Sequence, residues 1–81
     1  MIFQLQSTSV SILIYEVLHE IGVFNSSVSW DIDHDSWRIT WIWGPSVREP
    51  IHDYLLREPR SHQEFEDSLT VLRAYAELKR I

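Results

Sequence analysis

Eighty-one residues and 9.7 kDa hold one domain, residues 1–81, because independent domains usually run to about 100–150 residues and the smallest to about 50. With no cysteine there is no disulfide, no thiolate nucleophile and no thiolate zinc site, which favours a cytoplasmic chain over a small secreted one. The net charge of −5 disfavours direct binding to nucleic acid or anionic lipid and suits a partner with a basic surface.

That charge is unevenly spread. Residues 1–37 contain no Lys or Arg and carry Glu16, Glu20, Asp31, Asp33 and Asp35, whereas residues 38–81 carry seven bases and seven acids. The first half therefore reads as an acidic pole, with Glu20, Asp31, Asp33 and Asp35 as its main charges. No secretory leader fits the first thirty residues, which lack a cationic start, and no apolar run approaches the roughly 20 residues that span a bilayer. No membrane partner is expected.

In chain order, Phe3 and Leu5 alternate with Gln4 and Gln6, so residues 2–6 offer a short additional strand. From Val10 the period changes. Val10, Leu13, Ile14, Val17, Leu18 and Ile21 share one helical face, Ser7, Thr8 or Ser9 can cap its start, and Gly22 ends it.

Residues 28–43 predict an antiparallel hairpin rich in tryptophan. A two-residue turn at His34-Asp35 sets Val28, Trp30 and Ile32 opposite Trp41, Ile39 and Trp37, with Trp43 beyond. The other face then pairs Ser29 with Thr40 and Asp31 with Arg38. His-Asp is not the Asn-Gly or Asp-Gly such a turn prefers, so a four-residue loop in the same register is the alternative.

Pro50 suits the first position of a short helix with Ile51, Tyr54 and Leu55 on its inner face, stopped by Pro59. Ser61-His62-Gln63-Glu64 is a capping box that opens the last helix, whose core stripe is Phe65, Leu69, Leu72 and Ala76. Val71, Tyr75 and Leu78 widen that stripe beyond what one hairpin covers. The fold class is thus α+β: an N-terminal helix, the hairpin with a further strand offered by residues 2–6, and two C-terminal helices.

Enzyme signatures are weak. There is no nucleophile elbow, no phosphate-binding glycine loop and no dinucleotide fingerprint. His19, His34, His52 and His62 are too far apart in sequence for a metal-binding pair, and the Asp31–Asp35 run lacks the glycine and distal glutamate of a calcium loop. No catalytic residue, metal or cofactor is assigned. If the chain is an enzyme, the reading is a metal-dependent hydrolase with Asp33 and Asp35 as ligands and His34 as base. A second alternative is a single-stranded nucleic-acid binder that stacks bases on the aromatic sheet face, disfavoured because acids rather than bases accompany the indoles.

The leading expectation is a small acidic, non-catalytic protein-interaction module, one form of which is an inhibitor or regulator of a basic nucleic-acid-handling protein. Opposite the core stripe of the first helix lie Ile12, Tyr15 and His19, flanked by Glu16. With Trp43 at the strand end and Val71, Tyr75 and Leu78 on the last helix, these are the candidate contacts to another protein or to a second copy in a homodimer.

Overall fold

The computed structural model describes residues 7–45 and 48–80. The elements in chain order are α1 (Ser7–Glu20), β1 (Asn25–Asp31), β2 (Ser36–Ile42), β3 (His52–Arg57) and α2 (His62–Leu78). The strands form one antiparallel sheet in the order β1-β2-β3, and both helices cover one face of it. The strand offered by residues 2–6 lies outside the described residues.

Helix α1 forms because its apolar residues recur at helical spacing: Val10, Ile14, Val17 and Leu18 are buried together. It starts at Ser7, so Ser7, Thr8 and Ser9 lie inside its first turn rather than before it. At its end the Gly22 amide donates to the His19 carbonyl at 3.0 Å and the Val23 amide to the Leu18 carbonyl at 2.9 Å. This pair of bonds, with Gly22 at φ +92°, closes the helix and drops Val23 into the core beside Leu18. Helix α2 begins where Ser61 Oγ accepts the Glu64 amide at 3.0 Å. Phe65, Leu72 and Ala76 form its buried stripe.

Strand β2 is the centre of the sheet, and its alternation is complete: Trp37, Ile39 and Trp41 are buried against the helices, while Ser36, Arg38, Thr40 and Ile42 face the other way. β1 contributes Val28 and Trp30 to the inner face, and β3 contributes His52, Tyr54 and Leu56. Trp41 is stacked edge-on by Tyr75, which also packs on Tyr54.

Two expectations are corrected. Residues 52–57 are a strand, not a helix, so among the described residues one helix rather than two follows the hairpin. Pro50 and Pro59 leave only eight residues between them, short for a helix, and a third strand supplies hydrogen bonds that a lone hairpin lacks. The hairpin register also differs: Trp30 pairs with Trp37 and Asp31 with Ser36 around a four-residue loop, Ile32 to Asp35. The shift is two residues, an even number, so the residues that remain in the strands keep their face, whereas Ile32, expected opposite Trp37, moves into the loop and is 81% exposed. Within the loop only Asp35 has positive φ, 50°, whereas a two-residue turn of the type that best fits a hairpin needs it at both centres.

Candidate functional site

The outer side of α1 carries the surface that the sequence singled out. Ile12 is 53% exposed, and Tyr15, Glu16 and His19 follow it along the helix. Tyr15 also has an internal role, because its phenol oxygen accepts the Val28 amide at 2.9 Å and so covers part of the free edge of β1. The His19 ring meets the edge of Phe24 at 4.3 Å between centroids, and Phe24 is 73% exposed. Ile12, Tyr15, His19 and Phe24 therefore form a continuous strip from the middle of α1 to the start of β1. Within it, Glu16 makes no ion pair among the described residues.

Phe24 is also one wall of a groove of about 400 Å³, completed by Gly22, Asn25, Ile42, Trp43, Gly44 and Pro45. The Arg80 guanidinium lies over the Trp43 indole, 4.3 Å from the ring centroid. Arg80 donates as well to the Ile21 carbonyl and, at 2.9 Å, to Glu77 Oε1, so it ties the ends of α1 and α2 to the end of β2. The Nε1 atoms of Trp41 and Trp43 are buried without a hydrogen-bond partner among the described residues. The sequence pattern does not single out Phe24. The available signal was its position: Gly22 ends the helix and Val23 is the residue that turns inward, which leaves Phe24 pointing out.

The other candidates fall elsewhere. Val71 and Leu78 are 54% and 73% exposed on α2, whereas Tyr75 is half-buried against Trp41 and Tyr54, with the Lys79 ammonium 5.3 Å above its ring. The acids do not gather into one pole. Glu20 sits at the end of α1 and pairs with Arg73 at 2.8 Å. Asp31, Asp33 and Asp35 occupy the opposite end of the sheet, a strand of seven residues away.

Asp31 is engaged inside its own loop. Its Oδ1 accepts the amides of Asp33 and His34, and its Oδ2 accepts from Arg38 Nε at 3.0 Å and Nη2 at 2.8 Å. His34 Nδ1 lies 2.9 Å from the same oxygen. The Arg38 hydrogen bonds, chiefly, hold the Asp31 carboxyl at about 2, below the usual aspartate range, and Arg38 is itself shifted upward by the same contact. Arg38 Nη1 reaches Asp53 on β3 at 2.7 Å, so this network braces the outer face of all three strands. Among the described residues, no three His, Asp or Glu side chains are grouped to hold a metal ion, and Asp33, His34 and Asp35 do not converge on one point.

Most of the aromatic sheet face is roofed, with Trp30 on β1 left 40% exposed. Trp37 and Trp41 are buried under the helices, and Trp37 Nε1 donates to Glu58 at 3.1 Å, so neither indole presents a ring for stacking a base. The outer sheet face carries Ser27, Ser29, Thr40 and the Asp31–Arg38–Asp53 network instead. No helix among the described residues is long and apolar enough to cross a membrane.

The site thus defined is a surface strip with an adjoining groove on an α+β scaffold. No protein family, curated protein or solved structure matches the chain in sequence or fold, so the functional reading rests on this geometry.

Proposed function

We propose that this protein is a non-catalytic interaction module that binds another protein through the Ile12–Tyr15–His19–Phe24 strip. The carrying observation is Phe24: a large aromatic side chain, 73% exposed, continuous with the apolar face of α1 and forming the lip of the groove beside Trp43. Contiguous exposed apolar surface of this kind is characteristic of protein contact sites, and aromatic anchors dominate their energetics. Glu16 within the strip and the lysine- and arginine-free first 37 residues favour a partner whose apolar pocket has a cationic rim. A protein built to hold nucleic-acid phosphates offers such a rim, and occupying it would make this chain an inhibitor or regulator of that protein.

A photo-cross-linking residue placed at Ile12 or Phe24, with Thr70 on the outside of α2 as control, tests the reading in extract of the source cells. The expected result is one discrete adduct from both α1-side positions and none from Thr70. Its loss in an Ile12→Ser/Phe24→Ser chain carrying the cross-linker at His19 completes the case. Adducts that form equally from Thr70, or none from Ile12 and Phe24, would overturn it.

A further inference from the structure

The sheet has two edges, and they are treated differently. Tyr15 covers part of the β1 edge, while β3 has no such cover among the described residues. The direction of each backbone group on β3 follows from the Tyr15 bond. Because the Val28 amide points away from β2, its partner Ile39 points toward β3 and bonds Tyr54, since opposed residues in an antiparallel pair alternate between facing each other and facing away. Asp53, Leu55 and Arg57 are then the residues whose N–H and C=O groups face the open side.

We infer that this edge, together with the Val71–Leu78 side of α2, docks a second copy of the same chain in antiparallel pairing about a two-fold axis at Leu55. The charges select the register. With Leu55 opposite Leu55 of the second copy, Asp53, whose Oδ2 already accepts from Arg38 and whose Oδ1 makes no ion pair among the described residues, meets Arg57 of that copy and Arg57 meets its Asp53, on one face, while Tyr54 meets Leu56 on the other. Sliding the strands by two residues in one direction puts Asp53 opposite leucine, and in the other direction opposite Pro59. Only the centred register pairs both charges, and it also matches the three residues that present outward backbone groups. The edge is self-complementary, which an isologous contact requires.

Helix α2 supplies an independent observation. On one flank Arg73 and Arg80 reach α1 through Glu20 and Ile21, and toward the other Tyr75 packs on Tyr54 of β3. Val71 and Leu78, four residues before and three after Tyr75, continue that second flank outward past β3. A two-fold axis perpendicular to the sheet places both copies of α2 side by side on the same face, so the two exposed apolar flanks meet above the new strand pair. Without a second copy these two large side chains face water at 54% and 73% exposure.

Sedimentation over a concentration series tests the inference. The full chain is expected to reach twice 9.7 kDa. Arg57→Asp alone and Asp53→Arg alone should each raise the dimer dissociation constant about tenfold or more, because two symmetry-related pairs become like-charged. Mixing the two variants should restore dimers, since each Asp then faces an Arg. A chain that stays monomeric, or a dimer that ignores both substitutions, would overturn the inference. Leu55→Cys keeps the test decisive if a charge variant fails to fold: opposed α-carbons about 5.5 Å apart lie within disulfide range, and the chain has no other cysteine. Oxidation should then cross-link two copies through residue 55, with Ser29→Cys on β1 remaining uncross-linked. Absence of the residue 55 link would count against the register. The α1 strip takes no part in this contact, so Ile12→Ser/Phe24→Ser should leave the dimer unchanged, and a dimer lost in that variant would place the interface elsewhere.

Discussion

The phenol of Tyr15 accepts the backbone amide of Val28 at 2.9 Å, so a helix side chain occupies a position where a fourth strand would otherwise bond. One hydroxyl therefore serves both the packing of α1 on the sheet and the closure of an edge that could template further pairing. Tyr15→Phe keeps the ring and removes only the acceptor. The expected cost is about 0.5–1 kcal/mol, at the low end for a hydrogen bond because water can replace the hydroxyl at this exposed site. Amide exchange at Val28 should accelerate while exchange at Ile39, in the centre of the sheet, tracks only the global change. An unaltered Val28 rate would mean that the bond does not form in solution.

Acid should act on the hairpin through Asp31. Its carboxyl titrates at about 2 in the folded chain against 3.8 ordinarily, so the unfolded chain binds the proton more readily. The stability contributed by this group is then complete above about pH 4 and disappears as the pH falls through 2. Asp31→Asn should lower the melting temperature at pH 7, and the gap to the parent chain should narrow steadily as the pH is taken from about 4 to 2. A gap that stays constant over this range would mean that Arg38 does not hold the carboxylate charged.

The elements that could be read from sequence are those in which period, cap and length agree. Helix α1 has its apolar face and its terminal glycine, and α2 has Ser61 before a long apolar stripe. The buried face of β2 follows from the alternation of Trp37, Ile39 and Trp41. The sequence of β3 suggests a helix because Ile51, Tyr54 and Leu55 also fall at helical spacing. In the structure Tyr54 and Leu56 point inward instead, and what decides between the two is a non-local demand, the unpaired side of β2, that no local pattern records. Register failed for a related reason. Asp31 and Arg38 do pair, but diagonally, with Ser29 directly opposite Arg38. The opposite-charge match was thus a correct contact that pointed to the wrong alignment, since long side chains reach a diagonal neighbour as readily as a direct one.

The proposed strip was half legible for similar reasons. Ile12, Tyr15 and His19 follow from helical geometry, and their exposure is the complement of the buried face. Phe24 lies beyond the helix, where only the backbone at Gly22 decides which way the next two side chains turn. Neither helical nor strand periodicity operates across that corner, so an apolar Val-Phe pair gives no indication of which member is buried.

Gly22 therefore controls both the end of α1 and the presentation of Phe24, and it offers a test of that link. Its φ of +92° is strained for any residue with a β-carbon, yet an added β-carbon would meet only the Arg80 guanidinium at 3.9 Å, an ordinary contact. The cost of Gly22→Ala is thus conformational, about 1–2 kcal/mol. Urea unfolding should show a lower midpoint with an unchanged slope, the signature of lost stability without altered compactness. Arg80→Ala probes the same corner from the other side. It removes the cation over Trp43 and the donor to the Ile21 carbonyl, with an expected cost of about 1 kcal/mol and a red shift of tryptophan emission as Trp43 becomes wetter. If the two residues act on one corner, the double variant should cost less than the sum of the singles, because a helix end already loosened at Gly22 has less to lose with Arg80. Strict additivity would instead mean that Gly22 and Arg80 stabilise separate features.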